Sequence, residues 1–167
     1  MSNHINEIIF ALSDAGVEFI LGGGVAAVLH GVERVTLDVD VALDMQPRNL
    51  ENFLGVMTQL GLQPRVPVSA RDLLSPEAVR RMIEEKQAMV FSFIDPDKPL
   101  RHVDVFLTEK LSFGAMKSDA MPVTIGARTF RIVGLEQLLR IKQSIQPPRD
   151  KDIFDIKALE KLIEEKP

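Results

Sequence analysis

The sequence has no cysteine among its 167 residues and no apolar run long enough to cross a bilayer. Without cysteine, a disulfide framework, a zinc–thiolate site and a thiol nucleophile are excluded, and the composition fits a reducing compartment. A membrane span needs roughly 18–20 apolar residues, and the first residues lack the basic region and apolar core of a signal peptide. We therefore expect a cytoplasmic protein with no membrane segment and no targeting peptide.

The chain is also short of positive charge and of aromatic rings. Its net charge is −4 and aromatic residues make up 5% of it, so it lacks a broad basic surface and a platform for stacking bases. Composition therefore does not favour nucleic acid as a partner, although a local basic patch is compatible with it. Apolar residues are plentiful at 46%, which is ordinary for a protein with a buried core, and the length fits one domain over residues 1–167.

The most informative stretch runs from Thr36 to Leu43. Apolar and polar residues alternate there with a period of two, which predicts a half-buried strand with Asp38 and Asp40 on its polar face. A strand rises roughly 3.3 Å per residue, so the two carboxylates should lie about 6.6 Å apart on one side. Such a pair can share hard cations, as in the two-metal sites of nucleotidyl transfer. The alternative is an exposed sheet face with two solvated acids.

A second alternating strand is predicted over residues 101–107. Asp104 lies in the middle of it and shares one face with His102. If this strand lies beside the first, Asp104 completes a cluster of three carboxylates with Asp38 and Asp40. Three semi-buried carboxylates repel one another strongly unless a cation lies among them. The sequence therefore predicts a site for divalent cations.

Three consecutive glycines at residues 22–24 separate a predicted strand over residues 17–21 from a short predicted helix over residues 25–30. At such a turn, backbone N–H groups can approach a phosphate and the helix dipole favours the anion. A tight turn that needs positive φ would require only one glycine. His30 is interpreted as a cap at the end of that helix. Arg34, in the next turn, could reach a triphosphate or could be a surface residue.

The rest of the chain supplies further helices, a hairpin and a helical pair. Apolar spacing and turn residues predict helices over residues 3–15, 47–60 and 76–86, a loop or edge strand over 62–71, a strand over 87–94, and a hairpin of strands over 121–125 and 128–133. A core of about residues 1–133 should be followed by a helical pair over about residues 134–165. Pro147 and Pro148 separate the two helices of this pair. In the last helix, the residues predicted to face inward are Ile153, Ile156, Leu159, Leu162 and Ile163.

Together these motifs resemble the nucleotidyltransferase superfamily that includes DNA polymerase beta. Its signature is a Gly-Gly or Gly-Ser pair, a short helix and an Asp-h-Asp/Glu-h strand, where h is apolar. The closer resemblance is to small stand-alone bacterial nucleotidyltransferases of the AbiE toxin type. The matching residues are Gly23-Gly24-Val25-Ala26, His30-Gly31, Arg34-Val35-Thr36-Leu37-Asp38-Val39-Asp40, Val103-Asp104-Val105, Lys142 and Arg149-Asp150-Lys151-Asp152-Ile153-Phe154-Asp155. Gly22 is a mild departure, since an apolar residue normally precedes the glycine pair.

The resemblance implies an α/β (α+β) fold with a mixed, mainly antiparallel central sheet, surrounding helices and a C-terminal helical hairpin. It also implies roles. Asp38 and Asp40 would ligate two Mg²⁺ ions, or Mn²⁺ in their place, and Asp104 would ligate the catalytic metal and help activate the attacking hydroxyl. The residues implied to bind the nucleotide are Gly23, Gly24, Thr36, Arg34 and Lys142, and Lys142 would contact either a phosphate or the base.

The reaction so implied moves an NMP from an NTP to an acceptor hydroxyl with release of pyrophosphate. The acceptor could be a tRNA end, a protein or a small molecule, and a partner protein from a toxin–antitoxin pair is a further expectation. Lys142 has a plainer interpretation as a solvated helix residue, and Arg149 and Lys151 as partners of nearby acids. One alternative function is a non-catalytic, antitoxin-like member of the fold. Another is dinucleotide binding, because residues 22–27 fit the loose G-x-G-x-x-G/A pattern.

Overall fold

The computed structural model describes residues 3–165, which form a seven-stranded sheet with helices packed around it. The α-helices of this part of the chain are α1 (Asn3–Asp14), α2 (Gly23–His30), α3 (Pro47–Gln59), α4 (Pro76–Lys86), α5 (Phe113–Lys117), α6 (Leu135–Gln143) and α7 (Asp150–Glu164). The strands are β1 (Phe19–Leu21), β2 (Asp38–Leu43), β3 (Gln63–Pro64), β4 (Val90–Ile94), β5 (His102–Phe106), β6 (Met121–Ile125) and β7 (Arg128–Ile132). Two short 3₁₀ helices cover Ala70–Leu74 and Glu109–Leu111. Within residues 3–165, every helix is too short or too polar to cross a membrane.

The sheet has the strand order β3-β4-β5-β2-β1-β7-β6. Strand β2 pairs in parallel with β5, and β1 pairs in parallel with β7, whereas the other neighbouring strands are antiparallel. This confirms the mixed, mainly antiparallel sheet. Dinucleotide binding needs a doubly wound parallel sheet, which the described strands do not form.

The two strands that carry the acids lie next to each other near the middle of the sheet. Their apolar residues Val39, Val41, Val103 and Val105 are all 0% exposed. Because successive residues of a strand point to opposite faces, burying these valines leaves the intervening acids on the other face. The hydrophobic core thus fixes the side of the sheet on which the acids collect.

Most helix boundaries follow local sequence signals. Pro47 opens α3 in the first turn, where its missing N–H is tolerated, and the side chain of Ser75 caps α4 by accepting a hydrogen bond of 3.2 Å from the Ala78 N–H. Helix α2 ends at Gly31, whose φ of 110° suits glycine. The hairpin of β6 and β7 turns at Gly126, as predicted.

Four strands, β1, β2, β4 and β5, begin one to three residues later than predicted, and the shifts of β2 and β4 have a clear physical reason. Strand β2 begins at Asp38, and before it Thr36 is 5% exposed while Leu37 is 39% exposed, the reverse of the predicted alternation. Thr36 is buried because it packs against Gly24. Strand β4 begins at Val90 instead of Gln87, because Gln87 ends α4 in the left-handed conformation, with a φ of 51°.

Helices α6 and α7 form the predicted hairpin, but α7 turns a different face inward. Ile153, predicted to be internal, is 41% exposed, whereas Asp152 and Asp155 are 0% exposed. The reason is that both carboxylates pair with Lys142, which α6 carries into the same interface. Because α6 also packs against α2, the hairpin lies beside the glycine turn.

Candidate active site

The acids and one histidine form a square on two adjacent strands, which we call the cluster: Asp38, Asp40, His102 and Asp104. In the parallel pairing of β2 with β5, Asp40 lies opposite Asp104, and Asp38 lies opposite His102. Neighbouring strands are about 4.8 Å apart, so side chains on one face of such a pair converge. Ligand atoms of Asp38, His102 and Asp104 all lie within 4.8 Å of one another. The structure therefore brings Asp104 to the acids of β2, as the sequence predicts.

Asp40 is the acid of the cluster whose pKa is raised. Burial, followed by the negative charges of Asp38 and Asp104, raises the pKa of Asp40 from 3.8 to about 7, although Lys142 and Lys151 act in the opposite direction. A carboxyl group with this pKa is only partly ionised at neutral pH. The site thus holds more negative charge than it can accommodate without a cation.

Asp38 has the opposite electrostatic balance. Burial alone would raise the pKa of Asp38, but the positive charge of Lys151, with smaller contributions that include His102 and the Thr36 hydroxyl, outweighs it and lowers the pKa. The Lys151 Nζ lies 4.0 Å from Asp38 Oδ2, and Thr36 Oγ1 donates to Asp38 Oδ1 at 3.3 Å. Asp38 is therefore the acid of β2 that is ionised before any metal arrives.

Asp104 is oriented by the neighbouring strand β4. Ser92 lies opposite Asp104 in the antiparallel pairing, and the Ser92 hydroxyl donates a short hydrogen bond of 2.5 Å to Asp104 Oδ1. This bond restrains the carboxylate and occupies one of its oxygens.

The glycine turn is shaped by side chains of the protein itself. A Cβ at Gly23 would overlap the Asp40 carboxylate, and the φ of Gly23 is +54°. A Cβ at Gly24 would lie 2.5 Å from Thr36 Oγ1, and one at Gly22 would lie 2.7 Å from the Phe106 ring. Each glycine thus admits a different side chain, which explains why the turn has three glycines in a row.

Arg34, Lys142 and Arg149 join one ion network around the buried carboxylates of Asp152 and Asp155. Lys142 is 4% exposed, and its Nζ lies 3.2 Å from Asp152 Oδ1 and 2.9 Å from Asp155 Oδ2. Arg34, neither a free surface residue nor an unpaired phosphate ligand, pairs with Asp155 at 2.7 Å. Arg149 pairs with Asp152 at 2.6 Å, as its plainer interpretation predicted.

This network has a clear electrostatic signature. Burial alone would raise the pKa of Asp152, but hydrogen bonds from Arg149 and Lys142 lower it to about 2. Lys142 is therefore held between the carboxylates of Asp152 and Asp155 and is not a solvated helix residue. Its predicted contact with a nucleotide stays a prediction, because its charge is already shared with these partners.

A cavity of about 930 Å³ opens over Asp38, Asp40 and Asp104, and we call it the cleft. One wall is charged and includes Asp38, Asp40, Asp104, Arg149 and Lys151, next to the glycine turn. The apolar wall includes Met89, Phe106, Leu111, Met116, Leu138 and Ile141. The cleft therefore offers charged lining for a polyanion with its counter-cations and apolar lining for an apolar group.

The donor set of the cluster fits divalent cations. Carboxylate oxygens are the ligands that Mg²⁺ and Mn²⁺ prefer, and an imidazole nitrogen extends the set to transition metals. The raised pKa of Asp40 reflects a repulsion that a bound cation would relieve. Metal ions would therefore be held by Asp38, Asp40, Asp104 and His102.

Three contributors to the site were missed in the sequence. His102 shares a face with Asp104 in the predicted alternation, so the pattern contained the signal for it. Ser92 gave none, because the pairing of β4 with β5 is a long-range feature. Lys151 was interpreted only as a partner of nearby acids, and the acid it approaches, Asp38, lies in the cluster.

The His30 interpretation needs a correction in detail. His30 does lie in the last turn of α2, but its Nε2 is 2.7 Å from the carbonyl oxygen of Val133, at the end of the β7 strand. The side chain thus joins α2 to the segment that leads into α6. It is not part of the cluster.

No protein-family model matches the sequence, and no curated protein matches it. Solved structures do match. The lincosamide antibiotic adenylyltransferase LnuA, with lincomycin bound, superposes with a TM-score of 0.65 at 13% identity over 97% of this chain and 98% of that chain. ANT(2'')-Ia in complex with adenylyl-2''-tobramycin gives 0.59 at 15% identity over 96% and 91%. An antigenic nucleotidyltransferase-like protein from Paracoccidioides brasiliensis gives 0.57 at 15% identity over 95% and 75%.

At these identities the likeness shows the fold alone, and the fold is one that nucleotidyltransferases share. The fold that the resemblance implies is therefore shown, and membership of the superfamily stays a prediction. None of these structures distinguishes the AbiE type from other branches. The AbiE-type resemblance and the partner protein of a toxin–antitoxin pair therefore stay predictions.

Proposed function

We propose that the protein is a metal-dependent nucleotidyltransferase that moves an NMP from an NTP to the hydroxyl group of an acceptor. The observation that carries the proposal is the convergence of Asp38, Asp40 and Asp104 beside the glycine turn, in a fold that nucleotidyltransferases share. Free NTPs and Mg²⁺ are available together in the cytoplasm, so a cytoplasmic location belongs to the same proposal.

The proposed reaction is an in-line displacement at the α-phosphorus. The acceptor oxygen forms a bond to this phosphorus while the bond to the oxygen that bridges the α- and β-phosphates breaks, and pyrophosphate leaves with the electron pair. Asp104, oriented by Ser92, accepts the proton of the attacking hydroxyl. Bound divalent ions supply charge neutralisation at the attacking and leaving oxygens.

The triphosphate binds along the charged wall of the cleft. Backbone N–H groups of Gly23 and Gly24 open α2, and the helix dipole favours an anion there. Among the cations that line the cleft, Arg149 and Lys151 have exposed side chains, at 56% and 44%. They can reach phosphate oxygens directly. Arg34, Lys142 and Thr36 support this wall from below, with any contact to the nucleotide made from their paired positions.

A small molecule is the acceptor that suits the apolar wall best. Pockets for drug-sized ligands have volumes of about 300–1,000 Å³ and are lined mainly by apolar groups around a few polar ones. LnuA and ANT(2'')-Ia have antibiotics or their adenylylated product bound in their structures. We propose a hydroxylated small molecule with an apolar body, which would lie against Phe106, Met116 and Leu138.

Transfer of a labelled nucleotide tests the proposal. The protein is incubated with Mg²⁺ or Mn²⁺, NTPs labelled at the α-phosphate, and three acceptor classes: hydroxylated small molecules including lincosamides and aminoglycosides, tRNA, and protein. We expect metal-dependent labelling of a small molecule. Asp38→Asn and Asp104→Asn should each lower the rate by at least about 100-fold, the scale of losing one preorganised electrostatic contact.

The matched control is Asp97→Asn, which changes an exposed aspartate in the turn between β4 and β5. This variant should retain the activity of the wild type. Labelling of tRNA or protein alone would overturn the proposed acceptor class but keep the reaction. Binding of NTP without transfer to any acceptor would favour the non-catalytic member of the fold.

A further inference from the structure

His102 is the one member of the four-residue cluster that is not a carboxylate, and it lies opposite Asp38. Its Nε2 lies 3.9 Å from Asp38 Oδ2, and its side chain is 22% exposed. A metal with ligand bonds of about 2.0–2.2 Å holds ligand atoms about 3–4 Å apart. Ligand atoms of His102, Asp38 and Asp104 already lie within 4.8 Å of one another, so small side-chain rotations bring all three onto one ion.

The three histidines of the chain have different surroundings. His4 Nε2 lies 3.0 Å from the carbonyl oxygen of Leu37, and His30 Nε2 lies 2.7 Å from that of Val133. The Nε2 of His102 instead faces a carboxylate. On the neighbouring strand β4, the residue opposite His102 is Ile94, which is apolar. His102 thus directs a ring nitrogen at an acid of the cluster.

We infer that Asp38, His102 and Asp104 form a mixed nitrogen–oxygen site that prefers a divalent transition-metal ion, such as Mn²⁺, Co²⁺ or Zn²⁺, over Mg²⁺. His102 supplies the ligand that creates this preference. The inference rests on the proposed function for its purpose, because the same cluster serves both, but it concerns binding and can be measured without turnover.

The preference follows from ligand chemistry. Mg²⁺ demands oxygen ligands in near-ideal octahedral geometry and gives up its waters reluctantly. Imidazole suits zinc, iron, nickel and copper, and the affinity of a given site rises from Mn²⁺ towards Cu²⁺. Replacing one oxygen corner of the cluster by a nitrogen therefore raises the affinity for transition metals much more than that for Mg²⁺. Asp40, which lies diagonal to His102 in the square, is left to an ion with oxygen ligands.

The simpler role for His102 is an ion pair with Asp38 when the imidazole is protonated. In that case His102 would be a positioning residue, and its removal would lower the affinity for all divalent ions to the same extent. As a ligand, it must instead affect transition metals selectively. The two roles are therefore distinguished by the ratio of the affinities for two metals.

The test compares metal binding by the wild-type protein, His102→Asn and the control His4→Asn after chelator treatment. Titration calorimetry gives Kd for Co²⁺ and Mg²⁺, and the visible absorption of Co²⁺ reports its coordination. We expect the wild type to bind Co²⁺ at least about tenfold more tightly than Mg²⁺. His102→Asn should lose at least about tenfold in Co²⁺ affinity, change little in Mg²⁺ affinity and alter the Co²⁺ spectrum, while His4→Asn should match the wild type.

A second measurement needs no variant. Pulsed electron paramagnetic resonance of Mn²⁺ bound to the wild-type protein detects coupling to a ligand nitrogen, and we expect this coupling. Its absence, or an equal loss of Co²⁺ and Mg²⁺ affinity in His102→Asn, would overturn the inference. Nitrogen coupling in a protein that transfers no nucleotide would retain the inference and reject the proposed function. Nucleotide transfer without nitrogen coupling would reject the inference and retain the proposed function.

Discussion

The charge crowding around Asp40 predicts an unusual dependence of stability on pH in the metal-free protein. The pKa of Asp40 is about 7 in the folded state, raised mainly by burial and then by Asp38 and Asp104, against 3.8 as the ordinary value. Between these two pH values the folded state binds the proton more tightly than the unfolded state. The free energy of unfolding should therefore fall as the pH rises from about 4 to about 7 and then level off.

The size of the effect follows from the shift. Each pKa unit corresponds to about 1.4 kcal/mol, so the full shift of Asp40 amounts to about 4 kcal/mol, taken as an upper bound. For a chain of this length, 1 kcal/mol changes Tm by about 2–4 °C. The metal-free protein should thus melt several degrees lower at pH 7.5 than at pH 5 on account of this one carboxyl group.

Asp40→Asn isolates the contribution, because an amide resembles the protonated carboxyl group and does not titrate. Thermal and urea unfolding would be followed at several pH values in the presence of a chelator. We expect Asp40→Asn to be more stable than the wild type at pH 7.5 and nearly equal to it at pH 4. Adding a divalent ion should restore the wild type at pH 7.5 and affect Asp40→Asn less.

Asp97→Asn serves as the control for a general effect of removing one aspartate, and it should follow the wild-type profile. The reasoning would be refuted if the metal-free wild type kept the same stability from pH 4 to pH 7.5. It would equally be refuted if Asp40→Asn and the wild type lost stability in parallel over that range.

Two further substitutions test the packing of the site. Gly23→Ala should destabilise the protein by more than Gly16→Ala in urea unfolding. Both glycines have positive φ, but a Cβ at residue 23 would overlap Asp40, whereas a Cβ at residue 16 would meet nothing within 4 Å. Equal losses of unfolding free energy would refute the close packing at Gly23. Lys142→Met should lower the free energy of unfolding by about 3–5 kcal/mol, because it leaves two buried carboxylates without their shared cation. The same change at the exposed Lys157 should lower it little. A loss below about 1 kcal/mol for Lys142→Met would show that the network does not hold the helical hairpin.

The parts of the site that lie on alternating strands could be predicted from the sequence. The period of two in β2 and β5 places Asp38, Asp40 and Asp104 between buried valines, and their convergence then depends only on the two strands being neighbours. That neighbourhood was an assumption taken together with the resemblance, since residue spacing alone does not determine which strands pair. The roles of these residues in catalysis stay predictions.

The features that failed to follow from the sequence depend on contacts between distant segments. An apolar-stripe rule assigns Ile153 to the inside of α7, but the interface with α6 contains Lys142, so aspartates occupy the buried positions. Ser92 reaches Asp104 only through the pairing of β4 with β5. The glycine run was attributed to an external ligand, although neighbouring side chains already require it.

The ion network joins parts of the chain that are made at very different times. Arg34 follows α2 near the start of the sequence, and its partner Asp155 lies in α7, the last helix. During synthesis the sheet and the glycine turn can therefore fold while α7 is still inside the ribosome. Arg34 and Lys142 then lack the carboxylates of α7 with which they pair in the folded protein. The charged wall of the cleft is completed only after α7 has been synthesised, so a nascent chain that lacks α7 has no finished cleft.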